Sequence, residues 1–179
     1  MLWLVWGRGA RNCRAGGPQG GVRVGAVRGA GFRAGQYGKN VETIPGTNQR
    51  VDYAVKGPGR GADEPVWLPI DCKFPREDYE RLMDAQDRAD VDAVVASSAA
   101  LERQVRVEAK RIRDKYLAPP HTTDFALMFL PTEGLYAEVL RRPGLFDSLQ
   151  RECRVTRVGP TPLLALLNRP QMDCRTLAL

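Results

Sequence analysis

The sequence predicts an α/β domain in which a mixed β-sheet is flanked by helices. Residues 49–56 alternate polar and apolar side chains, as a half-buried strand does. Residues 66–74 and 125–130 are apolar runs next to prolines, which is typical of buried strands. The helices are indicated by apolar residues three to four positions apart in the intervening and following segments. With 179 residues, 43% of them hydrophobic, the chain suits one domain with a sizeable core.

Turn residues and periodicity place the elements along the chain. Residues 41–44 form a short strand candidate, and a Gly- and Pro-rich stretch, 57–64, predicts a hairpin with a long loop. A helix is expected after Pro75, where acids follow and where Tyr79, Leu82 and Met83 share one face. The later elements are a long helix over 90–116 with apolar positions Val91, Val94, Val95, Leu101, Val105 and Ile112, a helix from Thr132, a helix over 145–152, a strand over 154–158 and a helix over 161–167.

Charge is distributed unevenly. The net charge is +6, but residues 1–34 contain six arginines and no acidic residue, whereas the other 145 residues carry 21 basic and 21 acidic side chains. A net positive charge favours a polyanionic partner such as nucleic acid, but here the excess of basic residues lies entirely within residues 1–34. Residues 1–34 show no helical or strand period, and we expect a disordered basic arm, a nucleic-acid-binding arm, or an aberrant Gly/Arg-rich translation product.

Cysteine and histidine usage bounds the chemistry. The cysteines show no metal-ligand spacing, and no secretory signal with a cleavage site is present, which predicts a reduced, cytoplasmic protein without a transmembrane segment. A single histidine, His121, excludes a His-rich metal centre and argues against a His-based nucleophilic triad.

Two charged residues interrupt the apolar run at 66–74. Asp71 and Lys73 are two positions apart, so on a strand both side chains point to one face, while Cys72 points to the other. Burying both charges is costly unless they pair or bind something. The residues leave two interpretations open: a structural ion pair, or a site in which Asp71 holds a metal and Lys73 faces a reacting anion.

An acid on the preceding strand favours the second interpretation. Asp52 lies in the segment 49–56 and is expected to face Asp71 across the hairpin. Two carboxylates suit Mg²⁺, which stabilises phosphoryl charge and lowers the pKa of bound water, while Lys73 positions that water or the phosphate. An Asp followed, after a spacer, by Asp-x-Lys is the signature of PD-(D/E)xK nucleases. The predicted catalytic residues are therefore Asp52, Asp71 and Lys73, with Asp52 and Asp71 as the metal ligands.

Several separated motifs resemble one protein family. QYGKNVET (36–43), LPIDCKFP (68–75), HTTDFALMFLPTE (121–133) and GPTPLLALL (159–167) occur in the order found in the DNA recombination protein RmuC family. The resemblance implies a restriction-endonuclease-like core with a long helical insertion after the catalytic strand. It also implies a DNA-processing role that limits recombination at short repeats.

The resemblance also divides the chain in two. It covers residues 35–179, which we expect to be part of an RmuC-type nuclease-like domain. Family members carry a helix beginning near Trp-Gly-Glu, whose Glu is a candidate active-site acid, but here Trp6-Gly7 is followed by Arg8. We therefore hypothesise a frameshift or misplaced start ahead of Gly35, which a continuous open frame found on resequencing would contradict.

Further polar residues are candidates for binding. Asp124, Glu133 and His121 border the strand at 125–130 and are expected to serve either the site or the local turns. DNA is the expected partner, and basic side chains would contact its phosphates. The alternative is that these side chains face only solvent. The residues are Arg50, Arg103, Arg106 and Lys110. The leading function is Mg²⁺-dependent DNA cleavage; the alternatives are a non-catalytic DNA-structure- or partner-binding module and an inactive fragment.

Overall fold

The structure is a computed structural model that describes residues 37–61 and 64–167. The segment 1–34, with the predictions made for it, lies outside the described residues. The strands are β1 (Tyr37–Glu42), β2 (Arg50–Gly61), β3 (Glu64–Cys72), β4 (Ala126–Phe129) and β5 (Val155–Val158). The helices are α1 (Arg76–Asp87), α2 (Val91–Tyr116), α3 (Glu133–Leu140), α4 (Leu145–Cys153) and α5 (Pro160–Leu167).

The five strands form one mixed sheet in the order β1-β2-β3-β4-β5. The first two pairings are antiparallel, and β3 with β4 and β4 with β5 are parallel. The predicted α/β class with a mixed sheet is confirmed. All four residues of β4 are buried, as the uninterrupted apolar run predicts for a central strand.

The predicted long loop of the hairpin is wrong. Strand β2 continues to Gly61 and β3 begins at Glu64, with a register shift between Gly57 and Gly61. The pairing of β1 with β2 reaches Val55, and among the described residues the Gly- and Pro-rich continuation of β2 has only β3 as a neighbouring strand. Prolines and glycines are tolerated at such edges and irregularities, which is why turn residues here lie within strands.

Helices cover both faces of the sheet. On one face Leu101, Val105, Ala109 and Ile112 of α2 form a core cluster with Met128 of β4. On the other face Leu68, Ile70, Leu127 and Phe129 pack with Leu163 of α5. Alternate residues of β3 and β4 therefore enter different cores, as the strand period of two requires.

The first turns of α2 differ from the predicted apolar stripe. Val94 packs against the core, but Val91 and Val95 are 73% and 65% exposed. Both valines were predicted to belong to the apolar stripe that faces the core, and that prediction is wrong. Only the side of the helix that carries Val94 faces the core, so its neighbours meet solvent.

Helix α2 begins where the sequence predicts, because Asp90 caps it. The Asp90 carboxylate accepts a hydrogen bond from Ala93 N at 3.0 Å. Asp90→Ala is expected to lower the free energy of unfolding by about 1 kcal/mol, measured by urea denaturation. The control is Asp92→Ala in the same first turn, which loses only a helix-dipole interaction worth about 0.5 kcal/mol. Equal losses for both variants would contradict the capping role.

Candidate functional site

The candidate site lies at the carboxyl end of the parallel strands. Asp71 is the penultimate residue of β3 and pairs in register with Met128 of β4, and Lys73 follows the last residue of the strand. Ligands of open α/β sheets bind beyond the carboxyl ends of the strands. The position of Asp71 and Lys73 is therefore one at which a ligand is expected.

Asp71 and Lys73 form a partly buried ion pair. Lys73 Nζ is 3.0 Å from Asp71 Oδ2, and the two side chains are 27% and 4% exposed. Cys72 points to the opposite face and packs in the other core cluster, as the strand alternation predicts. The structure therefore places both charged side chains on one face.

Asp52 approaches the same place from β2. Tyr53 pairs with Ile70, so the register continues to bring Asp52 opposite Asp71. Asp52 Oδ2 accepts a hydrogen bond from Cys72 N at 3.0 Å, which ties the carboxylate to the end of β3. The structure thus brings the three predicted catalytic residues together at neighbouring strands.

A third acid, Glu108 of α2, completes the site. Glu108 Oε2 is 3.4 Å from Lys73 Nζ, and Glu108 is 8% exposed. Its other oxygen, Oε1, accepts hydrogen bonds from Arg111 at 2.9 Å and from Gln104 at 3.2 Å. Asp71, Lys73 and Glu108 are called the Asp71–Lys73–Glu108 cluster below.

Sequence reasoning missed Glu108, because it placed no acidic residue of the long helix at the site. The signal that would have found it is spacing, because Glu108 is seven positions after Leu101, three after Val105 and four before Ile112. Residues with those separations share one helix face. A carboxylate within an apolar stripe is costly unless it is paired, so its presence there indicates a partner such as Lys73.

Burial dominates the electrostatics of Asp71. It raises the pKa of Asp71 from an ordinary value of 3.8 to about 6. The Lys73 ammonium opposes this shift, and the carboxylates of Asp52 and Glu108 add to it. Burial lowers the pKa of Lys73, but Asp71 and Glu108 outweigh that effect and the net shift is upward. Lys73 is therefore protonated at neutral pH.

Tyr116, at the end of α2, lies in the same electrostatic environment. Burial and then the Asp71 carboxylate raise the pKa of its hydroxyl, with smaller contributions from Asp52 and Glu108. The phenol therefore stays neutral at physiological pH and can donate a proton to a hydrogen bond.

The carboxylate oxygens at this site are ligands of the type that a hard divalent cation prefers. Asp71 Oδ2 and Glu108 Oε2 are buried, and although each faces Lys73 as an ion pair, neither has a regular hydrogen bond among the described residues. Within residues 37–61 and 64–167, no three His, Cys, Asp or Glu side chains are arranged to hold a metal ion. Mg²⁺ keeps several waters and is often bound by only one or two carboxylates, which is what Asp52 and Asp71 offer.

The basic residues predicted to bind DNA are exposed or bonded to groups outside the cluster. Arg50 is exposed and donates to Asn40 O at 3.3 Å. Arg106 bonds to Glu102 and to Ser148 Oγ of α4, at 2.9 and 2.7 Å. Arg103 and Lys110 are exposed on α2, and Lys110 follows Glu108 by two residues, about 200° around the helix. None of these contacts tests DNA binding, which stays a prediction.

Three further candidates have structural contacts. Glu133 Oε1 accepts hydrogen bonds from Thr161 N and Thr161 Oγ1, at 2.8 and 2.5 Å, and so joins the first turns of α3 and α5. Asp124 forms an exposed ion pair with Arg154 at 3.3 Å. The carbonyl of His121 accepts from Trp67 N at 3.0 Å. These contacts agree with local structural roles.

In the described part of the chain, no helix combines the length and apolar character that crossing a membrane requires.

Comparison with known proteins identifies the family. The model of the RmuC family matches residues 24–179. Two proteins named "DNA recombination protein RmuC homolog", from Xylella fastidiosa strains Temecula1 and 9a5c, are each 61% identical over 145 residues. The match covers 80% of this chain and 32% of each relative, so the chain spans about a third of their length. No solved structure matches the chain significantly. The chain belongs to the RmuC family.

Proposed function

We propose that this chain takes part in DNA recombination as a Mg²⁺-dependent phosphodiesterase of the restriction-endonuclease-like, PD-(D/E)xK type. The observation that carries the proposal is the convergence of Asp71 and Lys73 at 3.0 Å, with Asp52 on the neighbouring strand. The names of the two Xylella relatives support the recombination role. Limiting recombination at short repeats is the cellular role proposed with it.

Each residue has a distinct task in this proposal. Asp52 and Asp71 would hold the Mg²⁺, which lowers the pKa of a bound water and stabilises charge on the phosphate. The Cys72 amide orients the Asp52 carboxylate through its hydrogen bond. Lys73 holds a phosphate oxygen or the attacking water, since its ammonium is the partly exposed member of the pair.

Asp52→Asn is the sharpest test of cleavage. The asparagine oxygen can still accept the hydrogen bond from Cys72 N, so the fold is kept while the negative charge is lost. We expect Mg²⁺-dependent cleavage of branched or single-stranded DNA to fall roughly 100-fold or more. Lys73→Ala is expected to abolish it, and the surface variant Asp124→Asn is the matched control with unchanged cleavage.

One observation favours a second, non-catalytic function. Lys73 already contacts two carboxylates, and no three-residue metal group is present in the described ranges. A module that binds DNA structures or a protein partner by occupancy would need neither an uncommitted lysine nor a metal site. DNA binding that persists in the wild type without any Mg²⁺-dependent cleavage would replace the nuclease proposal with this one. Equal cleavage by wild type, Asp52→Asn and Lys73→Ala would overturn the assigned residues.

A further inference from the structure

Arg157 of β5 is a buried cation for which no ion pair is found among the described residues. The residue is 3% exposed, and its Nε and Nη1 atoms are buried with no hydrogen-bond partner among the described residues. A buried, ionised group normally has its donors satisfied, because an unpaired one carries a large desolvation cost. The Nε and Nη1 groups are therefore available to an acceptor that the described part of the chain does not supply.

The surroundings of Arg157 suit an anion. Its guanidinium carbon is 4.7 Å from the ring centroid of Phe146, the second residue of α4. The N-cap of this nine-residue helix is Gly144, so no side chain caps its first-turn N–H groups. Uncapped N-termini attract anions through these N–H groups and the helix dipole. Arg157 thus lies against a first-turn residue of a helix that no side chain caps, although Leu145 N donates to Arg142 O at 3.3 Å and the same turn carries Asp147.

Nearby groups do not neutralise Arg157. Burial lowers the pKa of the guanidinium, and Tyr136 and Asp147 only partly offset this effect. Asp147 is exposed, and its effect on the pKa of Arg157 is smaller than the effect of burial. The positive charge is therefore incompletely compensated where it lies.

This place is distinct from the Asp71–Lys73–Glu108 cluster. Asp71 pairs in register with Met128, and Met128 pairs with Arg157, so the three residues form one row across β3, β4 and β5. The outer two are about 10 Å apart at the backbone. Met128 between them is completely buried. Arg157 is therefore separated from Asp71 by a buried methionine in the same row of the sheet.

We propose that Arg157 and the first turn of α4 form an anion site that takes a phosphate group. The planar guanidinium presents paired N–H donors that match phosphate oxygens, and the helix start adds backbone donors. The bound group is either free inorganic phosphate or a phosphate of a nucleic-acid backbone. The site does not depend on cleavage at Asp71 and Lys73.

The direct test follows the Arg157 side chain during titration with inorganic phosphate. In the wild-type chain the Nε–Hε NMR resonance of Arg157 is expected to shift saturably with phosphate and not with NaCl at equal ionic strength. Arg157→Lys retains the charge but loses the paired donors, and its affinity for phosphate is expected to fall at least 10-fold. A wild-type resonance that ignores phosphate up to tens of millimolar overturns the proposal.

Thermal unfolding gives a second readout. Without phosphate, Arg157→Met is expected to raise Tm, because it replaces an unpaired buried charge by an apolar chain of similar length. Phosphate is expected to raise the Tm of the wild type by several degrees and that of Arg157→Met by less than one. The matched control Arg151→Met, at an exposed position of α4, should keep the wild-type phosphate response. A lower Tm for Arg157→Met without phosphate would show a purely structural role.

A short single-stranded oligonucleotide distinguishes the two sources of phosphate. A shift of the Arg157 resonance with the oligonucleotide at micromolar concentration assigns the site to a nucleic-acid backbone. A shift with inorganic phosphate alone assigns it to a free phosphate group, and the anion site stands in both cases. Neither outcome depends on Mg²⁺, so failure here is separate from failure of the proposed nuclease.

Discussion

Replacing Lys73 by Met is expected to lower the free energy of unfolding at pH 8 by about 3 kcal/mol. Lys73 faces both Asp71 and Glu108, at 3.0 and 3.4 Å, so its loss leaves two buried carboxylates without their shared ammonium. The pKa of Lys73 is raised in the fold, so this stabilisation is fully present below its ordinary value and is lost only as the pH rises through the raised value. Urea denaturation at pH 8 measures the change.

The stability lost on replacing Lys73 should depend on pH and on the protonation of Asp71. At pH 5 Asp71 is largely protonated, because its pKa is about 6, and the cost of removing Lys73 is expected to be smaller. Lys56→Met, at an exposed position of β2, is the matched control with little effect. A Lys73→Met protein as stable as the wild type at pH 8 would show that the ion pair contributes nothing to the fold.

Asp71→Asn is expected to raise the free energy of unfolding at pH 8 by about 3 kcal/mol, the equivalent of a pKa shift from 3.8 to about 6. The folded chain holds the Asp71 proton more tightly than the unfolded chain, so ionising this residue destabilises the fold as the pH rises from about 4 to above 6. Asparagine mimics the neutral form and avoids that cost. If the proposed nuclease function holds, the same variant is also expected to lose DNA cleavage, because Asp71 is one of the two proposed metal ligands.

The pH profile separates this effect from general charge changes. The difference in unfolding free energy between Asp71→Asn and wild type should vanish below about pH 4 and reach its plateau above about pH 7. Asp124→Asn, which changes an exposed ion pair, is the matched control and should change stability by less than about 1 kcal/mol. A destabilised Asp71→Asn at pH 8 would mean that the pair with Lys73 outweighs burial.

Much of the fold follows from local sequence. Strand β4 is recognisable as a run of apolar residues, and α2 as a long apolar period with Asp90 at its start, because burial and capping both leave local patterns. The extension of β2 and β3 through Gly- and Pro-rich residues is not recognisable, since it depends on which strand edges are left open. The restriction-endonuclease-like topology remains a proposal from family resemblance.

Part of the candidate site also follows from local sequence patterns. Asp71 and Lys73 share a face because strands alternate, and Asp52 joins them because hairpin strands pair. The inward position of Glu108 depends on how α2 docks on the sheet, which no single helix period fixes. Arg157 lies between Thr156 and Val158 in the sequence, and its Nε and Nη1 atoms are left without a hydrogen-bond partner among the described residues only once the core is assembled.

In the proposed nuclease, the unequal exposure of the cluster would set the order in which substrate and metal bind. Lys73 and Arg111 are 27% and 55% exposed, whereas the carboxylates that they contact, Asp71 and Glu108, are 4% and 10% exposed. A bare divalent ion coming from bulk solvent on that side meets positive charge first and is repelled, while a phosphate is drawn in. The metal would then enter more readily as a complex with the nucleic acid than ahead of it, which predicts kinetics in which substrate and Mg²⁺ bind interdependently.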